Sequence, residues 1–211
     1  HQVYHAIHNF CVVDMSNFYL DVLKDRLYTE KADSKLRRAA QTTIYIILDA
    51  MTKMIAPILA YTSDEIWEFM PHGKDSDPEC VLFNDMPSKI EIDCDSDFVA
   101  RWDRIHELRD TVKKAIEIAV KDKAIRSSLE AKVTISCKGE TYDFVKSVES
   151  ELPTALIVSQ LEVCKSDSDE MQVKVEHAEG EKCVRCWSFS HTVGSNPEHP
   201  ELCSRCAEVL K

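Results

Sequence analysis

Two Cys-x-x-Cys pairs, Cys183/Cys186 and Cys203/Cys206, stand sixteen residues apart in CVRCWSFSHTVGSNPEHPELCSRC, and they restrict what the end of this 211-residue chain can become. A two-residue gap lets one tight turn present both thiolates to a metal while backbone N–H groups of the turn face the sulfurs. Between the pairs lie Gly194, Asn196, Pro197 and Pro200, a polar, turn-forming run too short to own a core. Structural zinc, worth about 10–16 kcal/mol, supplies the folding energy that burial there cannot.

Rival chemistries fit less well. A redox dithiol uses one pair and leaves the other idle. The run His177-Ala178-Glu179 before Cys183 mimics the H-x-E…C-x-x-C pattern of zinc deaminases, but only three residues separate Glu179 from Cys183 and Lys182 stands where proline is usual. A second Cys-x-x-Cys also fills the position that a catalytic water needs. His191 and His199 are surplus as ligands and are expected to face solvent. Trp187, directly after the first pair, has two open roles: apolar cover for the metal, or a platform on which a nucleobase stacks. Arg185 and Arg205, one inside each pair, are expected to point outward, as solvated charge or as phosphate and base contacts.

The other five cysteines (Cys11, Cys80, Cys94, Cys137, Cys164) are scattered, nine is an odd total, and no Asn-x-Ser/Thr site occurs, so reduced thiols are the better reading. No apolar run approaches the roughly 18–20 residues needed to span a bilayer, and HQVYHAIHNF has no signal-peptide pattern. The chain is expected to be intracellular. Val3, Ile7, Phe10 and Cys11 already follow helical spacing from His1, and the sequence is expected to be a piece of a longer protein.

Helical spacing dominates the first half. VVDMSNFYLDVLKDRL carries Val13, Phe18, Leu20, Val22, Leu23 and Leu27 on an apolar side. SKLRRAAQTTIYIILDAMTKMIAPILAY follows Asp33 and Ser34, candidate caps, and Pro57 should kink or end it. Thr62-Ser63-Asp64-Glu65 matches a capping box that should start the next helix. Residues 71–96 read as a connection, and DFVARWDRIHELRDTVKKAIEIAVKDKAI as a long amphipathic helix with Val99, Trp102, Ile105, Leu108, Val112, Ile116 and Val120 on one stripe. The period then changes: LEAKVTISC, ALIVSQLEV and MQVKVEHA alternate as strands, ETYDFVKSVESEL is a helix ended by Pro153, and KSDSDE reads as a hairpin loop. The fold class is mainly α: a helical bundle over 1–96, a long helix and connection over 97–130, a small α+β subdomain over 131–181 and a four-cysteine zinc knuckle over 182–211.

The net charge of −11 argues against nucleic acid only until its distribution is read. Residues 63–100 hold 2 basic and 11 acidic side chains and residues 136–181 hold 4 and 11, whereas 101–135 hold 9 and 6. A phosphate backbone responds to the local patch. Lys24, Arg26, Lys35, Arg37 and Arg38 gather around one helix-to-helix turn, as a solvated surface or an RNA-facing one. No phosphate-cradling glycine loop, Gly-x-Ser-x-Gly or His-Glu-x-x-His occurs, and the acids show no catalytic pattern.

FCVVDMSNFYLDVLKDRLYT, APILAYTSDEIW and LRDTVKKAIEIAVKDKAIRSSLEAKVTI, followed by CVRCW…CSRC, closely resemble the C-terminal part of bacterial-type isoleucyl-tRNA synthetases, class I aminoacyl-tRNA synthetases. The resemblance covers essentially the whole chain. It implies an anticodon-binding helical domain, truncated at its N-terminus, and a tail whose metal ligands are Cys183, Cys186, Cys203 and Cys206. It also implies that the whole enzyme joins isoleucine to tRNA(Ile), with ATP and Mg bound in a catalytic domain outside this sequence, so that no catalytic residue falls within it. One structural Zn, a tRNA partner, a cytoplasmic monomer and no membrane association follow from the same likeness. Arg185 and Trp187 sit where the family's tail approaches the anticodon; Arg205, Lys24, Arg26, Lys35, Arg37 and Arg38 are further candidate tRNA contacts. The alternative is a zinc ribbon that serves protein interaction and has no RNA role.

Overall fold

The computed structural model describes residues 1–92 and 94–211; Asp93, within the connection expected over 71–96, lies outside the described residues. The chain divides into two units, His1–Asp93 and Cys94–Lys211.

Helix fills the first unit. Helix α1 (Gln2–Asn9), a π-helical segment (Phe10–Tyr19) and α2 (Leu20–Thr29) run on without a break. The wider turns of the middle segment shift the phase of the apolar stripe relative to a 3.6-residue period. Of the stripe expected there, Leu23 is buried at 2% exposure, while Val13 stays 58% exposed. Helix α2 packs on α3 (Lys35–Ile55), whose N-cap is Ser34, placed by its backbone without a side-chain cap bond. Across the turn between them, Arg37 Nη1 donates to the Glu30 carbonyl at 3.2 Å.

Pro57 ends α3 as expected, but α4 (Ala60–Phe69) begins before the capping box. The turn over 56–58 redirects the chain so quickly that Thr62 to Glu65 already lie inside the helix. Asp64 therefore does not cap; its Oδ1 accepts from the Val81 N–H at 3.3 Å and ties the following loop to the helix. Trp67, Ala56, Met70 and Val81 form the local core, and Trp67 Nε1 donates to the Asp77 carbonyl at 3.0 Å.

The second unit starts with α5 (Ser96–Lys121), whose N-cap Asp95 accepts from the Phe98 N–H at 2.7 Å. Ile105, Leu108, Val112 and Ile116 are buried as the stripe predicts, whereas Val99 and Val120 at its ends are exposed. Arg109 is buried too, at 7% exposure, and its Nε donates to the Ala155 carbonyl at 3.1 Å. The helix packs on a three-stranded sheet ordered β2-β1-β3, with β1 (Ala131–Cys137) central, β2 (Gln160–Lys165) parallel to it and β3 (Gln172–His177) antiparallel. Val133, Ile135 and Cys137 point to the core, each side chain's burial contributing on the order of 1–3 kcal/mol.

Three local expectations change. KSDSDE is not a hairpin loop, because β2 and β3 flank β1 on opposite sides and the loop carries the chain past the end of the central strand. Pro153 does not end a helix; it occupies the first turn of α7 (Leu152–Leu156), which follows α6 (Gly139–Ser147), and there its missing N–H costs nothing. Ala155 and Leu156 belong to α7 rather than to a strand, and Ile157 turns the chain at φ +58° before β2. Among the described residues no helix is long and apolar enough to cross a membrane.

Candidate metal centre and nucleic-acid surface

The tail opens as a short hairpin, β4 (Glu181–Lys182) against β5 (Phe189–Ser190), and the first cysteine pair occupies its bend. The Cys183 N–H donates to the Ser188 carbonyl at 2.9 Å, and the Trp187 N–H donates to the Cys183 carbonyl at 2.9 Å. Such a bend needs one left-handed residue, and Trp187 takes it at φ +65°, a conformation unfavourable for a bulky L side chain. The second pair comes from a short helix, α8 (Ser204–Val209): Cys203 is its N-cap and Cys206 lies within it.

These elements bring four sulfurs within 4.8 Å of one another. Zinc–sulfur bonds of about 2.3 Å in a tetrahedron place neighbouring sulfurs about 3.8 Å apart. Cys186 Sγ and Cys203 Sγ are 3.8 Å apart, so the donor set fits zinc in both chemistry and size. Cys183, Cys203 and Cys206 are buried with Leu202 and Ala207. Burial opposes charge on Cys183, yet N–H groups of Cys186, Cys203 and Arg185 aimed at its sulfur outweigh that and lower its pKa to about 6. Burial, reinforced by the neighbouring Cys186 sulfur, pushes Cys206 up, and burial also raises Cys203. A divalent cation among the sulfurs would stabilise all four thiolates together.

Neither tail histidine joins this group. His191 Nε2 lies 3.3 Å from Glu179 Oε2, and Glu179 Oε1 pairs with Lys132 Nζ at 2.8 Å; His177, the histidine of the apparent deaminase signature, has its Nδ1 2.8 Å from the Ala178 carbonyl oxygen, so neither His177 nor Glu179 belongs to the sulfur group. Four sulfurs leave a tetrahedral ion no position for water, which removes the catalytic reading.

Leu202, Ala207 and the partly buried Val193 cover the cage. Trp187 does not: it is 62% exposed, with the Lys182 ammonium over its ring, 5.9 Å from the centroid. Arg205 is exposed and Arg185 half-buried. In the first unit, Lys24 and Arg26 sit in α2, and Lys35, Arg37 and Arg38 open α3 on the other side of the turn. Lys24 pairs with Asp21 at 2.7 Å and Arg37 is engaged with Glu30, whereas Lys35 and Arg38 are exposed. No acidic residue occupies the first turn of α3, so three cations stand at the helix end where positive charge is unfavourable.

Sequence reasoning missed the residues that fasten the tail to the sheet. Ser159 and Gln160 carried no motif, and Glu179 drew notice only through the deaminase-like run; the signal available was Gly180, one of only four glycines, directly before the hairpin.

Two family models match the chain, the longer one crossing the boundary between the two units. A family model described as the anticodon-binding domain of tRNA ligase matches residues 1–135, and one described as a zinc finger found in FPG and IleRS matches residues 180–209. Isoleucine–tRNA ligase of Caldicellulosiruptor saccharolyticus is 48% identical over 211 residues, which is 100% of this chain and 23% of that protein. The isoleucine–tRNA ligase of a Thermoanaerobacter species is 46% identical over 98% of the chain, and that of Syntrophotalea carbinolica 44% identical over 100%, each with 23% of the relative covered. The chain thus spans about a quarter of the length of these relatives. With a helical first unit, a four-sulfur cage sized for structural zinc and these matches, the chain belongs to the family of anticodon-binding domains of tRNA ligases.

Proposed function

We propose that this chain is the tRNA-recognition part of an isoleucine–tRNA ligase, gripping the anticodon stem and loop of tRNA(Ile) while the remainder of a longer protein attaches isoleucine using ATP and Mg. In this reading residues 1–96 form the anticodon-binding helical domain, 97–130 the long helix and connection, 131–181 an α+β support and 182–211 the zinc tail. Cys183, Cys186, Cys203 and Cys206 hold the ion, whose role is to cross-link two chain turns that own almost no core. The reading further takes the whole protein to be a cytoplasmic monomer.

One observation carries the proposal. Trp187 is held at a strained left-handed backbone position, beside the cage and open to solvent, and does not belong to the tail's buried cluster. An aromatic face so presented suits stacking of an unpaired loop base, and Arg185 and Arg205, one within each cysteine pair, suit phosphate or base-edge contacts. Lys35 and Arg38, with Lys24, Arg26 and Arg37 around the same turn, suit the stem phosphates, which supply affinity and register without sequence information. A protein-interaction role for the zinc ribbon alone leaves the match over residues 1–135 without purpose. Trp187→Ala should weaken binding of a tRNA(Ile) anticodon stem-loop by about 1–3 kcal/mol, read by fluorescence anisotropy of labelled RNA. Unchanged affinity would overturn the stacking role.

A further inference from the structure

A base-stacking platform works only if its direction is fixed, and the bonds that fix this one lie outside the cage. Ser159, the residue before β2, bridges two parts of the unit: its hydroxyl donates to the Leu129 carbonyl and accepts the Phe189 N–H at 2.7 Å. Gln160 makes a two-way bond with the backbone of Glu179, Nε2 donating to the carbonyl at 2.9 Å and Oε1 accepting the N–H at 3.0 Å. The Glu179 carboxylate spans the joint, with Lys132 of β1 on one oxygen at 2.8 Å and His191 of the tail on the other at 3.3 Å. The His177 ring meets Phe189 edge-on, 4.8 Å between centroids.

Gly180 closes the joint. Its φ is +87°, and a Cβ there would sit 2.5 Å from the Ser190 carbonyl carbon and 2.7 Å from the His191 nitrogen, both backbone atoms that cannot step aside. The hairpin strand β5 therefore lies directly against the turn that leaves β3. The cage holds the knuckle together, but these contacts decide where it points.

We propose that Ser159, Gln160, Glu179 and Gly180 are positioning residues that lock the zinc knuckle to the three-stranded sheet, so that the α+β subdomain sets the direction in which Trp187 meets RNA. The RNA half of this statement rests on the function proposed above; the lock does not. The sheet then acts as a mounting, and its own surface need not touch RNA.

The test uses the full 211-residue chain. Residual dipolar couplings of amides in β1–β3 and in residues 181–209 should fit one alignment tensor in the unaltered protein. Ser159→Ala, which removes the bridge without adding bulk, and Gly180→Ala, which inserts a Cβ into Ser190, should both keep one zinc per chain yet require separate tensors. Affinity for the tRNA(Ile) anticodon stem-loop should fall at least tenfold in both, and Ser159→Thr, which retains the hydroxyl, should restore it. Should Gly180→Ala lose its zinc, Ser159→Ala alone decides. A single tensor in Ser159→Ala would overturn the lock, and separate tensors with unchanged RNA affinity would overturn its role in positioning. An unaltered chain that fits one tensor but ignores the stem-loop would sustain the lock and overturn the RNA reading instead.

Discussion

Replacing Cys203 by serine removes one of four sulfurs from a tail whose other buried side chains are only Leu202 and Ala207. Their burial is worth about 3 kcal/mol together, against about 10–16 kcal/mol for structural zinc. The metal dominates by a factor of several, so losing a ligand should cost the tail its fold. The sheet's core shares no residue with the tail's and should survive. Zinc content after gel filtration against a chromophoric chelator should drop well below one per chain. In the amide NMR spectrum, resonances of residues 180–209 should collapse toward random-coil shifts while those of β1–β3 keep their positions. A Cys203→Ser protein with dispersed tail resonances and no zinc would refute the claim that the ion, rather than burial, folds this segment.

Other outcomes follow from single groups. Ser63 is fully buried and its hydroxyl has no hydrogen-bond partner among the described residues, so Ser63→Ala should raise the urea stability of the first unit by about 1–2 kcal/mol; a loss would mean the hydroxyl is satisfied. Cys183, held near 6, is a thiolate in the folded tail and a thiol in the unfolded one between that value and the ordinary thiol range of about 8.5. Its contribution is complete above that range and lost as pH falls through about 6, while Cys203 and Cys206, raised by burial, must shed protons before ligating, which acts in the same direction on zinc affinity. Zinc retention against a fixed chelator should therefore climb between about pH 6 and 8, and a flat profile would contradict thiolate ligation. Lys35→Glu with Arg38→Glu should flatten the slope of log affinity for RNA against log salt by about two phosphate contacts; an unaltered slope would return both to solvated surface.

The sequence makes the metal centre more legible than the sheet, for a physical reason. Ligand spacing is local, so two turns of two residues each fall into place before any packing is known, and Cys183, Cys186, Cys203 and Cys206 do converge. Strand order is non-local. LEAKVTISC, ALIVSQLEV and MQVKVEHA alternate equally well, and only the tertiary choice of β1 as the central strand turns the loop after β2 from a hairpin into a crossing. The capping box at Thr62 has the right residues nearly one turn too late, because the turn around Pro57 restarts the helix at Ala60, with Leu59 as its N-cap. Arg109 lies in the α5 sequence among polar neighbours, and one partner of its buried guanidinium is the Ala155 carbonyl, 46 residues away. Trp187 was undecidable between cover and platform, since both place an aromatic after a cysteine turn. Its left-handed backbone and its exposure are visible only in three dimensions.

The central claim is that the chain reads an anticodon loop and does not merely hold a polyanion. Its most direct test is to titrate the 211-residue chain, zinc-loaded and at near-physiological salt, with two hairpins sharing the tRNA(Ile) anticodon stem, one bearing the native loop and one an unrelated loop of equal length. Phosphate contacts are identical in the two, so any difference belongs to the loop bases. The account predicts at least tenfold tighter binding of the native loop, a preference that Trp187→Ala reduces. Equal affinity for both hairpins would contradict it.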